Sequence, residues 1–115
     1  PNPHGPLAGH LVLEGGSGTI DDLVARVDRG LLVTRVWYTN VVDPMTATLT
    51  GMTRDGLFAI EGGKVRGAVR NFRFNQSVVQ MLNEVEALSG LERVGGVVCP
   101  GLLVRSFHMS SVTEF

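Results

Sequence analysis

The sequence is short of cysteine, of aromatics and of charge. Cys99 stands alone, which excludes an internal disulfide framework and suits a reducing, cytoplasmic compartment. Trp37 and Tyr38 are the sole residues of their types. Charged residues make up 18% and the formal net charge is −1, with no Lys/Arg run, so the electrostatic footprint of a nucleic-acid surface is missing. No apolar run approaches the ~18 residues of a spanning helix, so no membrane partner is expected. HExxH, G-x-S-x-G and P-loop motifs are all missing, and His4, His10 and His108 are scattered. No catalytic or metal-ligating set can be assembled from these residues.

What is present is β-forming. The 115 residues are 43% hydrophobic, which suits one domain with a modest core. From Gly30 to Phe74, runs rich in Val, Ile, Thr and aromatics are broken by turn residues at Asp43-Pro44, Asp55-Gly56 and Gly62-Gly63. This predicts a four-stranded antiparallel meander, with a tight hairpin at Asp55-Gly56. Gly51 inside its strand signals a bulge or a close backbone approach. Lys64, Arg66, Arg70 and Arg73 read as a solvated edge or face, with an anionic-ligand stripe as the alternative. Arg54 beside Asp55 could form an anion site, but a turn ion pair is the more usual outcome. The strand holding Trp37 and Tyr38 has no clean polar face, so it is either central between layers or touches a partner chain; core packing is the default for both rings and an interface the alternative.

Two helices flank the meander. Thr19 to Asp28 has a capping-box start at Thr19 and Asp22, an apolar face of Ile20, Leu23, Val24 and Val27, and Gly30 as a stop. Gly15-Gly16-Ser17-Gly18 before it lacks the phosphate-binding spacings and reads as a flexible loop. A second helix starts at Ser77 with Gln80. It carries Val78, Met81, Leu82, Val85 and Leu88 as its stripe and ends at Gly90. A loop over 95–101 and a last strand over Leu102–Met109 follow. The fold class is therefore α+β: an antiparallel meander sheet of about five to six strands with two short helices on it. Residues 1–9, rich in Pro and Gly, read as a linker or lead-in, and residues 10–115 as the β-rich domain.

The run GLLVTRVWYTNVVDPMTATLTGMTRDGLFAIEGGKVRGAVRNFRFNQSVVQML resembles the C-terminal domain of the TldD/PmbA family, described both as modulators of DNA gyrase and as zinc-dependent proteases. The likeness extends from about Leu11 to the end. Its most specific pieces are Gly30-Leu31-Leu32-Val33-Thr34, Gly51-Met52-Thr53-Arg54-Asp55-Gly56, Ile60-Glu61-x-Gly63 and Val69-x-Asn71-Phe72-Arg73-Phe74-Asn75.

The resemblance implies a piece of a longer protein that works as a homo- or heterodimer with a TldD/PmbA-like chain. It implies zinc held by an upstream HExxxH helix, with none expected on this chain. In TldD-like members a ligand Cys is followed by Gly and a longer loop. Here Cys99 directly precedes Pro100-Gly101-Leu102-Leu103-Val104, so the ligand role is not carried over. The expected role is peptide binding and dimerisation in a zinc metalloprotease acting on unfolded chains, with extended peptide held by strand addition. Thr50, Gly51, Met52, Thr53, Arg54 and Asp55 are the candidate peptide-binding residues. A non-catalytic PmbA-like partner or regulatory scaffold is the alternative, and a free-standing module for a small ligand is a third reading.

Overall fold

The computed structural model describes residues 11–94 and 97–112; His4 and His10 lie outside them. The expected class holds: antiparallel strands dominate, with two short helices.

The strands are β1 (Leu11–Val12), β2 (Arg29–Val33), β3 (Val36–Asp43), β4 (Thr48–Thr53), β5 (Leu57–Glu61), β6 (Lys64–Ala68), β7 (Phe72–Ser77), β8 (Val85–Val94), β9 (Val97–Val104) and β10 (Met109–Val112). The helices are α1 (Ile20–Ala25) and α2 (Val78–Asn83). They form three sheets, ordered β1-β9-β8, β10-β7-β4-β3 and β2-β5-β6.

The meander is built from three long strands, each bent at its middle. The first enters as β2 and leaves as β3, the second as β4 and β5, the third as β6 and β7. Their halves pair in two different sheets, β2-β5-β6 and β3-β4-β7. The bends align in a seam: Thr34-Arg35, Arg54-Asp55-Gly56 and Val69-Arg70-Asn71. Backbone bonds cross it from Arg54 N to Arg35 O (2.9 Å) and from Val69 N to Leu57 O (2.8 Å). The expected hairpin at Asp55-Gly56 is therefore corrected. Asp55 (φ 61°) and Gly56 (φ 129°) turn the chain from one sheet into the next, and β4 does not pair with β5.

The other two turns are hairpins as expected. Asp43 caps its turn by accepting from Met45 N (3.0 Å). Gly62 and Gly63, both at positive φ, join the paired residues Glu61 and Lys64. Their amides also bond the Asp28 and Val27 carbonyls (2.7 and 2.8 Å), so this turn closes the exit of α1.

Helix α1 carries the expected capping box. Thr19 Oγ1 accepts from Asp22 N (3.2 Å) and Asp22 Oδ2 accepts from Thr19 N (2.8 Å). It stops at Ala25, because the Gly62-Gly63 amides draw the following carbonyls away. Gly30, expected as its stop, lies in β2 opposite Ile60. The Gly15–Gly18 loop is closely packed: Gly16 N bonds Ser89 O, and Gly90 N bonds Gly18 O (both 2.9 Å). A Cβ on Gly16 would meet Leu88 O at 2.5 Å, so backbone-to-backbone contact with β8 explains the glycine.

The second helix is much shorter than its periodicity suggests. Ser77 caps it through Gln80 N (3.2 Å), but it ends at Asn83. Val85 to Val94 is strand β8, pairing with β9 from Val85↔Val104 to Val94↔Val97. Residues 97–101, expected as loop, belong to β9. The ladder satisfies the backbone of both runs, which outweighs a weak helical preference.

The apolar core is small: among the described residues Leu23, Val24, Met52, Leu57, Ile60 and Phe74 are buried. Many large apolar side chains stay exposed, including Tyr38, Val41, Val42 and Met45. Tyr38 therefore departs from the expected core packing. No helix among the described residues is long and apolar enough to cross a membrane.

Candidate functional site

The seam gathers polar chemistry into an otherwise apolar sheet. Where β4 ends, the Thr53 hydroxyl is almost fully buried. It accepts from Phe72 N and donates to Asn71 Oδ1, both at 3.0 Å, and so stands in for the backbone ladder where the third strand bends away. The Thr34 hydroxyl donates to Gly56 O (2.7 Å) on the other side.

On the solvent face, Asp55 holds two guanidinium groups. Its Oδ2 is 2.9 Å from Arg35 Nη1 and its Oδ1 is 3.4 Å from Arg54 Nε. The expected Arg54–Asp55 pair is present, and Arg35 joins it. The Arg54 guanidinium also sits over the Trp37 ring, 4.0 Å from the centroid. Tyr38 packs edge-on to Trp37 with centroids 5.4 Å apart. Register places Trp37, Met52 and Arg73 in one cross-strand row, and Arg73 Nη1 lies 3.8 Å from Met52 Sδ. The result is an aromatic and thioether platform bordered by arginines.

The six candidate residues fall along β4 and the seam. Thr50, Gly51, Met52 and Thr53 are in the middle of a sheet, their strand paired on one side with β3 and on the other with β7. Thr50 Oγ1 donates to Phe74 O (3.1 Å), and Gly51, Met52 and Thr53 are buried. Thr50 is half-buried, and Arg54 and Asp55 are the exposed ones of the six. Strand addition therefore needs another edge, and the adjoining one is β3, which among the described residues pairs only with β4. A bulge at Tyr38-Thr39, with Tyr38 at φ 58°, lies opposite Gly51 and fulfils the expectation at that glycine.

Arg35 and Trp37 were not among the candidates. The signal lay in the pairing register. Counting back from Asp43↔Thr48, with two one-residue shifts, brings Arg35 level with Arg54.

Two hollows flank the sheets. One, of about 480 Å³, is apolar and lies between α1, β2 and the inner face of β4–β7, with Leu23, Val33, Ile60, Phe74 and Leu102 among its walls. The other, of about 550 Å³, is polar and includes Asn75, Gln80, Ser106 and His108. His108 is anchored there, with Nδ1 3.0 Å from Asn75 O and its amide donating to Gln76 Oε1 (2.7 Å).

Cys99 is a half-buried free thiol on β9, opposite Glu92. Among the described residues no three His, Cys, Asp or Glu side chains converge as a metal site would require. These residues therefore do not fit the zinc that the family resemblance implies.

The likenesses to known proteins agree with this architecture. The PmbA/TldA metallopeptidase C-terminal domain matches residues 2–111. The crystal structure of TldE from Thermococcus kodakarensis superposes with a TM-score of 0.69 at 20% identity, over 90% of this chain and 23% of that one. A proposed modulator of a DNA gyrase from Thermotoga maritima gives 0.71 at 15% identity, over 86% of this chain and 23% of that one. At such identities the likeness is one of fold, and the chain spans about a quarter of the length of either structure. No curated protein matches the chain. The chain belongs to the PmbA/TldA metallopeptidase C-terminal domain family.

Proposed function

We propose that this chain is the peptide-holding and dimer-forming part of a TldD/PmbA-type metallopeptidase that acts on unfolded polypeptide in the cytoplasm, with its zinc held by residues outside it. The observation that carries the reading is the contrast between two sheet edges. Strand β6 guards its edge with Lys64 and Arg66, as soluble proteins do. Strand β3 has no Lys or Arg, and it exposes Tyr38, Val41 and Val42 beside a backbone edge that no other described strand covers. An extended polypeptide completes such an edge through main-chain bonds that read no particular sequence.

The test is Val41→Lys in the full-length protein. Val41 is 62% exposed, so the fold tolerates the change, while an edge lysine opposes strand addition. Affinity for an unfolded peptide falls more than tenfold, and amide exchange at Asn40–Asp43 slows in the wild type alone when peptide is added. Equal affinities, with no slowed exchange, overturn the reading. Zinc analysis of full-length protein separates the metallopeptidase from the alternative, a non-catalytic partner. Bound zinc that survives Cys99→Ala supports the first, and a zinc-free protein supports the second.

A further inference from the structure

We infer that the Arg35–Arg54 end of the β3 edge is a carboxylate subsite that fixes the direction of a bound polypeptide. The inference rests on the reading that β3 receives an added strand.

Two guanidinium groups stand at this end against one carboxylate. Asp55 bridges them, at 2.9 Å to Arg35 and 3.4 Å to Arg54, and so holds both in place. Each guanidinium carries five N–H donors, and Asp55 engages a single nitrogen of each. Their side chains remain 63% and 45% exposed. The Trp37 ring beneath Arg54 orients that group further. Arg54 thus links Trp37 and Arg35, stacking on Trp37 and sharing Asp55 with Arg35.

The opposite end of β3 is Asp43. A strand added antiparallel starts beside Asp43 and finishes beside Arg35. Its amino end then meets a carboxylate and its carboxyl end meets two guanidiniums. A parallel strand sets like charge against like at both ends, and such contacts select against wrong orientations. The eight residues of β3 face the six of β4 because of two one-residue shifts, so β3 spans roughly 20 Å at ~3.4 Å per residue. The ligand class is therefore an extended peptide of about six to eight residues with a free terminal carboxylate, or an acidic side chain at that position. Guanidinium–carboxylate bonds are charge-assisted and can be bidentate, which suits a planar carboxylate better than a point charge.

The experiment uses full-length protein with a chelator present, so that peptide is not consumed. An unlabelled octapeptide with a free carboxyl terminus is compared by titration calorimetry with the same peptide ending in an amide. The free acid binds at least tenfold more tightly, and Arg35→Gln abolishes that preference, while Arg35→Lys restores part of it. An unchanged unfolding midpoint shows that these variants are folded. If acid and amide bind equally, the carboxylate subsite is wrong while peptide holding at β3 stands. If neither binds, the peptide-holding reading fails and takes the subsite with it. If a second copy covers β3 instead, Val41→Lys dissociates a dimer that peptide does not displace, and that outcome overturns the subsite too.

Discussion

The Phe74 ring fills the space above Gly51. A Cβ added to Gly51 would lie 2.7 Å from Phe74 Cζ and 3.0 Å from Thr39 Cγ2. The two residues are register partners on β4 and β7, and Phe74 also meets the Phe107 ring at 5.2 Å. A small residue in one strand thus makes room for a large one in the next. Gly51→Ala forces the ring or the bulge to move, at a cost of about 1–3 kcal/mol. Urea unfolding of the purified protein measures it, and a change below ~0.5 kcal/mol would show that the ring relaxes freely.

Thr53 is tested by Thr53→Val, which keeps the shape and deletes the hydroxyl. The Phe72 amide then loses its acceptor in a buried seam, at a cost of about 1–3 kcal/mol. Thr53→Ser keeps both hydrogen bonds and loses less. A thermal-unfolding comparison in which serine and valine behave alike would mean that the methyl group, rather than the hydroxyl, matters here.

Arg54 and Trp37 form a partly exposed cation–π pair, which predicts a coupling of roughly 0.5–1 kcal/mol. A double-mutant cycle with Arg54→Ala and Trp37→Leu measures it. Trp37 is the sole tryptophan, so its fluorescence reports the same contact: Arg54→Ala shifts the emission, while Arg66→Ala does not.

Thr19→Ala removes the acceptor for Asp22 N and breaks the reciprocal box at the start of α1. The expected loss is about 1 kcal/mol. The helix buries Leu23 and Val24, so amide exchange over Leu23–Ala25 accelerates with it. Unaltered exchange would mean that packing alone sustains this short helix.

By contrast, Arg35→Ala has a small effect on stability, within ~1 kcal/mol, because its ion pair with Asp55 is exposed and screened. Chemical denaturation checks this. A larger loss would give Arg35 a structural duty that competes with the role inferred for it in binding.

Features that depend on chain neighbours were legible in the sequence. The Asp43-Pro44 and Gly62-Gly63 turns, the Thr19 and Ser77 caps, and the tolerance for a bulge at Gly51 are local. Pieces that depend on distant partners were not. Val85 and Leu88 continue a helical stripe from Val78, yet β9 draws them into a ladder. The Asp55-Gly56 pair has hairpin chemistry, yet its flanking strands already have partners in separate sheets. At the candidate site, Arg54 and Asp55 adjoin in the chain and could be read together. Arg35 and Trp37 reach them only through the β3–β4 register.

The sequence by itself determined that this chain is β-rich, where it turns, where its helices begin and which family it resembles. Those follow from torsional preference, short-range hydrogen bonding and residue order, all carried by adjacent positions. Tertiary structure alone decided that three long strands bend at one seam, that four side chains from two strands meet there, and that β3 is an edge strand among the described residues. Each of those outcomes depends on which distant backbone satisfies a strand's amides and carbonyls, and that choice is made by the assembled sheets.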